Sequence, residues 1–166
     1  MDKEKKFEEI YKKWGREIYS YLLFLSCSRE DAEDILQDVF FKFWKMFDNL
    51  IKLDNLRAYL FKMARNRLID IKRKRGRLRS GDINEEVLDF NSEDISEKVR
   101  KKEFVKKILS VLNEEEREII ILRFYENMKF KEISEIKGMK ENTLRVKYIR
   151  ILEKLRKVIY NNNYGK

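Results

Sequence analysis

Residues 129–157 read KFKEISEIKGMKENTLRVKYIRILEKLRK, and this stretch has the spacing of a helix-turn-helix. Apolar residues three and four apart line one face of a short helix, Gly138 supplies the tight turn after it, and a second helix begins at Glu141. The inward-facing residues are Phe130, Ile133 and Ile136 in the first helix and Leu144, Tyr148, Ile151 and Leu155 in the second. The pattern predicts a small DNA-binding module.

The outward face of the second helix carries the side chains that we expect to contact DNA. Arg145 and Arg150, near the helix start, suit base edges in a major groove, where one bidentate arginine–guanine contact discriminates by about 1–3 kcal/mol. The candidate contacts are Thr143, Arg145, Val146, Lys147, Ile149 and Arg150. The alternative is a helical hairpin whose arginines are merely solvated, and the basic excess of the segment argues against it.

Composition favours an all-α protein made of two small helical domains. The 166 residues include no proline and only five glycines, which favours long helices. Residues 1–75 carry 18 Lys/Arg against 13 Asp/Glu, residues 76–97 carry 2 against 7, and residues 98–166 carry 19 against 10. We therefore expect a domain over 1–75, a flexible acidic linker over 76–97 and a second domain over 98–166. Both basic blocks would face polyanion, although three solvated surfaces remain an alternative.

The residues that the chain lacks argue against several functions. Cys27 is the only cysteine and there is no histidine, so thiolate clusters, the commonest zinc ligand and the usual general base are all missing. We therefore expect no enzymatic activity, no metal, no cofactor and no small-molecule substrate. No apolar run approaches the roughly 20 residues that cross a membrane, so we expect a cytoplasmic protein without direct membrane insertion.

Three helices are predicted in the first 75 residues. Apolar residues over 7–25 form one stripe, and Ser28 can cap a second helix that should run to about residue 47. Residues 48–55 form a loop in this interpretation, and Asp54 or Asn55 can cap the third helix.

In the second half of the chain, Asn113 can cap a helix, and Glu116 is placed to complete a capping box. The predicted core face of this helix consists of Ile119, Ile120, Leu122 and Tyr125. A further helix should precede it, beginning near Glu97.

The first domain carries the more specific signal. DAEDILQDVFFKFWK (31–45), followed by LRAYLFKMARNRLIDIKRKR (56–75), closely resembles conserved region 2 of extracytoplasmic-function (ECF) sigma factors. Residues 112–157, which include the helix-turn-helix, likewise resemble their region 4. The resemblance implies a non-enzymatic subunit that directs bacterial RNA polymerase core to specific promoters and initiates transcription.

The resemblance implies that the helix over 29–47 docks on the polymerase's largest subunit. The core-polymerase-binding candidates are Asp34, Gln37, Asp38 and Phe41, of which Asp34 and Gln37 fall on the family's characteristic acid and glutamine. Spacing independently places these four on one face, roughly opposite Ile35. A large exposed aromatic is a usual interface anchor, and the alternative is that Phe41 simply extends the core.

For the third helix, the resemblance implies capture of the melted minus-10 strand. Stacking of bases on aromatic rings and cations along phosphates would supply the binding. Tyr59, where the family commonly has tryptophan, and Met63 lie on the apolar stripe, so we assign them to the core. The minus-10 candidates are Asn49, as reader of a flipped base, with Arg57, Phe61, Arg65, Asn66 and Arg73.

The resemblance also implies that the outward face of the helix-turn-helix reads the minus-35 element. The expected partners are RNA polymerase core, promoter DNA and an anti-sigma factor that covers the polymerase-binding surfaces. A free-standing helix-turn-helix transcriptional regulator is the alternative, but it leaves residues 29–75 unexplained. A small nuclease is a third reading, and it lacks a histidine or a motif-level pair of carboxylates.

Overall fold

The computed structural model describes residues 2–25, 27–76 and 95–164, and within these ranges it contains helices and no β-strand. The α-helices are α1 (Lys3–Phe24), α2 (Arg29–Lys45), α3 (Phe47–Leu50), α4 (Leu56–Lys74), α5 (Ile95–Ser110), α6 (Glu114–Ile120), α7 (Phe130–Lys137) and α8 (Glu141–Tyr164). A π-helical turn, Ile121–Tyr125, continues α6. The predicted all-α fold class is confirmed. None of the described helices is long and apolar enough to cross a membrane.

Helices α1, α2 and α4 pack around one apolar core because each presents an apolar stripe. Ile18, Ile35, Phe43 and Leu60 are fully buried there. The predicted caps are present: the Ser28 hydroxyl accepts a hydrogen bond from the Asp31 amide at 3.1 Å, and the Asn55 side chain accepts one from the Ala58 amide at 3.1 Å. These local signals fix where α2 and α4 begin.

The segment over 48–55, which we predicted as a loop, begins with helical structure instead. Helix α3 spans Phe47–Leu50 because Phe47 and Leu50 both bury their side chains, each leaving about 5% exposed. Only residues 51–55 form the turn into α4.

The second half is built around α6, α7 and α8. Asn113 and Glu116 form the predicted capping box, with hydrogen bonds of 3.0 and 2.8 Å between each side chain and the other residue's amide. Gly138 ends α7 with φ 65° and ψ 34°, a left-handed conformation that glycine adopts without steric cost. Ile133, Ile136, Leu144 and Ile151 are buried, as the helix-turn-helix pattern predicts.

The π-helical turn was not predicted, and it changes the position of one residue. The Glu126 amide donates to the Ile121 carbonyl at 2.9 Å, a bond that spans five residues instead of four. The wider turn rotates Tyr125 out of the core face to which we assigned it. Tyr125 is 58% exposed, and its ring lies at 4.9 Å from that of Phe24 in α1.

Most of the acidic linker predicted over 76–97 lies outside the described residues. Its last three residues are already helical, because α5 begins at Ile95 rather than near Glu97. On either side of this segment, the two halves of the chain contact each other directly. Helix α4 packs against α7, and α1 packs against the π-helical turn.

Candidate functional site

The first candidate surface is the outer face of α2. Asp34, Gln37, Asp38 and Phe41 are all exposed, and Phe41 leaves 59% of its surface uncovered. Phe41 therefore does not extend the core, and the Lys45 ammonium lies over its ring, 4.4 Å from the ring centroid. Asp38 accepts a hydrogen bond from Arg67 Nε at 3.0 Å. The face presents acidic and amide groups around an exposed aromatic ring.

The second candidate surface is the outer side of α4, and one prediction for it was wrong. Phe61 is fully buried, with its ring centroid 5.2 Å from that of Tyr21, whereas Tyr59 is 37% exposed. The core stripe of α4 consists of Leu60, Phe61, Ala64 and Leu68, and this stripe turns residue 59 outward. The predicted contacts Asn49, Asn66 and Arg73 are exposed.

Two other predicted contacts, Arg57 and Arg65, are half-buried and bound to carboxylates. Arg57 donates to Glu17 of α1 at 2.8 Å and to the main-chain oxygen of Glu126 at 2.9 Å. Arg65 donates to Glu118 of α6 at 2.7 Å. In this arrangement both guanidinium groups join the first half of the chain to the second.

Glu118 is the centre of this contact between the halves. Its buried carboxylate accepts hydrogen bonds from the Tyr21 hydroxyl at 2.6 Å and from Arg65, and it pairs with the almost fully buried ammonium of Lys137. Burial alone would raise the pKa of Glu118, but Lys137 and Arg65 outweigh it and lower the pKa below its ordinary value. Burial and the neighbouring Glu118 raise the pKa of Tyr21. Glu118 is therefore an ionised carboxylate held by three donors.

Glu126 behaves differently although it lies in the same contact. Its Oε1 is buried without a hydrogen-bond partner in the described ranges, and its Oε2 lies 3.5 Å from Arg57 Nη2, which is long for a hydrogen bond. Burial, with the nearby charge of Glu17, raises the pKa of Glu126 to about 8. At neutral pH this carboxyl group is mostly protonated.

A cleft of about 640 Å³ lies beside the contact, between the start of α4 and the start of α7. Tyr59 and Lys62 line one side, and Lys129, Lys131 and Glu132 line the other. The Asn55 amide approaches Glu132 at 3.4 Å. The exposed ring of Tyr59 therefore faces a surface that contains residues from both halves.

The third candidate surface is the outward face of α8. Thr143, Val146, Ile149 and Arg150 are exposed at the start of this helix. Arg145 is also exposed but turned towards α7, since it pairs with Glu141 at 2.9 Å and its guanidinium lies 4.6 Å from the Phe130 ring centroid.

The flank of α8 is tied to α6 by two ion pairs. Lys147 pairs with Glu115 at 2.7 Å, and Lys154 pairs with Glu116 at 2.5 Å. Glu116 thus caps α6 and holds α8 with the same carboxylate. Of the predicted contacts on α8, Lys147 and Arg145 are engaged within the protein.

Sequence reasoning missed the residues that join the two halves. Glu17, Tyr21, Glu118, Glu126 and Lys137 carry no motif signal, because their partners lie between 19 and 97 residues away along the chain. An acid or a tyrosine on a helix is ordinarily a solvated or core residue, so only the packing of α1 and α4 against the second half identifies them.

Comparison with known proteins assigns both halves to one family. The family described as Sigma-70 region 2 matches residues 10–78, and the family described as Sigma-70, region 4 matches residues 108–157. The chain is 27% identical over 158 residues to the ECF RNA polymerase sigma factor SigM of Bacillus subtilis, covering 93% of this chain and 94% of that protein. It is 28% identical over 129 residues to the RNA polymerase sigma factor SigV of the same organism, covering 78% of this chain and 76% of that protein.

Solved structures agree. The sigma factor RpoE of Bartonella quintana, in complex with the anti-sigma factor NepR, superposes with a TM-score of 0.71 at 25% identity, over 94% of this chain and 98% of that one. CnrH, in complex with the cytosolic domain of CnrY, shares the fold with a TM-score of 0.63 at 20% identity, over 94% of this chain and 88% of that one.

The chain therefore belongs to the sigma-70 family, as a sigma factor of the ECF type. Such a protein directs RNA polymerase to promoters and is a transcription initiation factor rather than an enzyme. The alternatives of a free-standing regulator and a nuclease are thereby set aside.

Proposed function

We propose that each of the three candidate surfaces of this sigma factor binds a different target: the polymerase core, the minus-10 strand or the minus-35 element. The division follows domains over 1–75 and 98–166, separated by the linker over 76–97. The observation that carries the proposal is that a region 2 unit with an exposed acidic and aromatic face on α2 and a helix-turn-helix with an exposed face on α8 occur in one chain.

The outer face of α2 binds the polymerase core in this proposal. Asp34, Gln37 and Asp38 offer hydrogen-bond acceptors and a negative charge, and Phe41 offers an aromatic anchor that nothing in the core requires. Interfaces take most of their energy from such aromatic anchors surrounded by polar groups.

For the melted minus-10 strand, the surface is α4 with the adjoining turn. Asn49, Asn66 and Arg73 are exposed, and Tyr59 takes the stacking role that we first gave to Phe61. Arg65 becomes available only if Glu118 of the second half leaves it. Arg57 must lose the Glu126 carbonyl of the second half and also exchange Glu17 of α1 for a phosphate. We therefore propose that the two halves separate on the polymerase, and that the arrangement described here is the polymerase-free one.

The minus-35 element is read by α8. Thr143, Val146, Ile149 and Arg150 face outward, and Arg145 and Lys147 can join them by exchanging a glutamate for a phosphate. An anti-sigma factor is a further proposed partner, since the similar sigma factor RpoE was solved in complex with the anti-sigma factor NepR. We place this function in the cytoplasm, where the polymerase acts.

The proposal on α2 is tested by charge reversal. We expect Asp34→Arg to abolish retention by immobilised bacterial core polymerase while circular dichroism shows unchanged helicity. Glu9→Arg makes the same charge change at an exposed position of α1 and should leave retention intact. Equal loss in both variants, or retention by Asp34→Arg, would contradict the role of α2.

The proposal on the DNA surfaces is tested by comparing the chain with and without core polymerase. Unstacking a base costs a few kcal/mol, so the chain alone should bind promoter duplex weakly and leave it closed. With core added, affinity should rise and permanganate-reactive thymines should appear near the minus-10 element, because the second contact becomes effectively intramolecular. Tight specific binding by the chain alone, with no melting on adding core, would contradict the proposed roles of the two DNA surfaces.

A further inference from the structure

Two aliphatic side chains stand exposed at the centre of the recognition face. Val146 is 50% exposed and Ile149 is 57% exposed, whereas Leu144 and Ile151 on the same helix are fully buried. Residues three apart on a helix are neighbours, so Val146 and Ile149 form one apolar strip, which the 40% exposed Leu152 continues away from the helix start. Thr143, three residues before Val146, and Arg150, four residues after it, lie beside Val146, and both are exposed.

This strip is continuous with the minus-35 surface, and the exposed charged residues that follow it on α8 are basic except for Glu153. Arg150, Lys154, Arg156 and Lys157 are exposed farther along α8. An apolar partner protein would have to approach between these cations, whereas a DNA duplex is drawn to them. The occupant that fits both the charge and the fold is the major groove of duplex DNA.

The base that an aliphatic side chain can recognise in that groove is defined by chemistry. Valine and isoleucine carry no side-chain donor or acceptor, so they cannot read the polar edges of guanine, cytosine or adenine. The C5-methyl of thymine is the one apolar group that a base pair presents in the major groove. Arg145 does not compete for this position, because Glu141 and the Phe130 ring hold it towards α7.

We propose that Val146 and Ile149 recognise the methyl groups of thymines in the minus-35 element, so that these two residues set part of the promoter specificity. Three residues of helix rise about 4.5 Å and one base pair rises about 3.4 Å, so the two side chains reach thymines on neighbouring base pairs. The inference rests on the proposed function, in which α8 lies in the minus-35 major groove.

The test changes the DNA and leaves the protein intact. Promoter fragments are first selected from a random pool by the holoenzyme formed from core polymerase and this chain. Each thymine of the selected minus-35 element is then replaced by deoxyuridine, which removes the methyl and keeps every hydrogen-bonding group. We expect one or two positions to lose about fourfold in affinity, the value of one buried methyl-sized group, while the others stay unchanged.

Variants then connect those positions to the two residues. In Val146→Ser and Ile149→Ser, the sensitive positions should bind thymine and uracil equally, since the contact is already gone. Ile159→Ser is the matched control, because Ile159 is 40% exposed on the same helix but more than two turns farther along. It should keep the full discrimination between thymine and uracil.

The possible outcomes separate this inference from the proposed function. If scrambling the minus-35 element weakens binding but no uracil substitution does, or if the selected element contains no thymine, the inference is wrong and the role of α8 stands. Unchanged thymine preference in both serine variants overturns it as well. If scrambling the element has no effect, the proposed role of α8 fails, and the inference fails with it.

Discussion

The two proposed DNA-binding surfaces differ in where their cations find internal partners. On α4, Arg57 and Arg65 are bound to Glu17, the Glu126 carbonyl and Glu118. On α8, Arg150 makes no ion pair with any residue in the described ranges, and its apolar neighbours are uncovered. Two cations of the α4 surface are therefore held in a contact between the halves, whereas the centre of the α8 surface is uncovered.

The difference follows the physical demands of each target. A recognition helix meets an intact duplex, so it needs no change in the protein or the DNA before contact. A surface for melted DNA has no ligand until the strands open. Without internal partners, Arg57 and Arg65 would attract any polyanion. Their carboxylate partners weaken that attraction, but they must be displaced before the two arginines can bind the melted strand.

The largest expected effect comes from removing the charge of Glu118, the carboxylate at the centre of the contact between the two halves. Glu118→Gln leaves the buried Lys137 ammonium without a charged partner, which should lower the free energy of unfolding by about 3–5 kcal/mol in urea titrations. Small-angle scattering should also show a larger radius, because Tyr21 and Arg65 lose their shared acceptor. Glu115→Gln removes an exposed partner of Lys147 and should cost no more than about 1 kcal/mol. Similar effects in both variants would show that the buried cluster does not hold the halves together.

Glu126 should make the contact between the two halves sensitive to pH. Its folded pKa of about 8 exceeds the ordinary value of 4.5, so its contribution to stability is fully present below pH 4.5 and is lost as the pH rises through 8. Glu17 and Arg57 are the charged groups that shift it. Glu126→Gln should therefore add about 4 kcal/mol at pH 8.5 and about 1 kcal/mol at pH 5. A gain of equal size at both pH values would contradict a protonated Glu126.

Substitution of Arg150 tests whether the exposed face of α8 reads bases. Arg150→Ala should cost about 1–3 kcal/mol in holoenzyme affinity and relax the preference at one position of the minus-35 element. Lys154→Ala removes a cation already paired with Glu116, so it should lower the affinity for all sequences only slightly and to the same extent. If both variants lose affinity equally for every DNA sequence, Arg150 contacts phosphate and does not read a base.

The smallest effect should come from the cap that supports both surfaces. Asn113→Ala removes the hydrogen bond to the Glu116 amide and should lower the free energy of unfolding by about 1 kcal/mol. Helix α6 carries Glu118 towards α4 and Glu116 towards α8, so both contacts should weaken slightly. Asn113→Ser retains a capping oxygen and should recover most of the loss, as measured by thermal unfolding.

Local signals in the sequence predicted the helices well. Ser28, Asn113 and Gly138 act on backbone groups within three or four residues, so their side chains or backbone freedom alone determine where helices begin and end. The helix-turn-helix followed from the same short-range periodicity.

The failures occurred where the outcome depends on packing between distant residues. Tyr59, Leu60, Phe61 and Met63 are all apolar or aromatic, so the pattern could not decide which of them the core would take. The core took Leu60 and Phe61 and left Tyr59 exposed. Likewise, nothing near Glu118 in the sequence signals that its partners come from α1, α4 and α7.

The ion pairs of Lys147 and Lys154 with α6 affect how binding should respond to ionic strength. Each phosphate that a cation neutralises releases counterions, and this release sets the slope of log affinity against log salt at about −0.9 per phosphate. A lysine that keeps its glutamate contributes little to that slope. The salt dependence of minus-35 binding should then follow the cations without a carboxylate partner in the described ranges, such as Arg150 and Lys157, rather than the total positive charge of the helix.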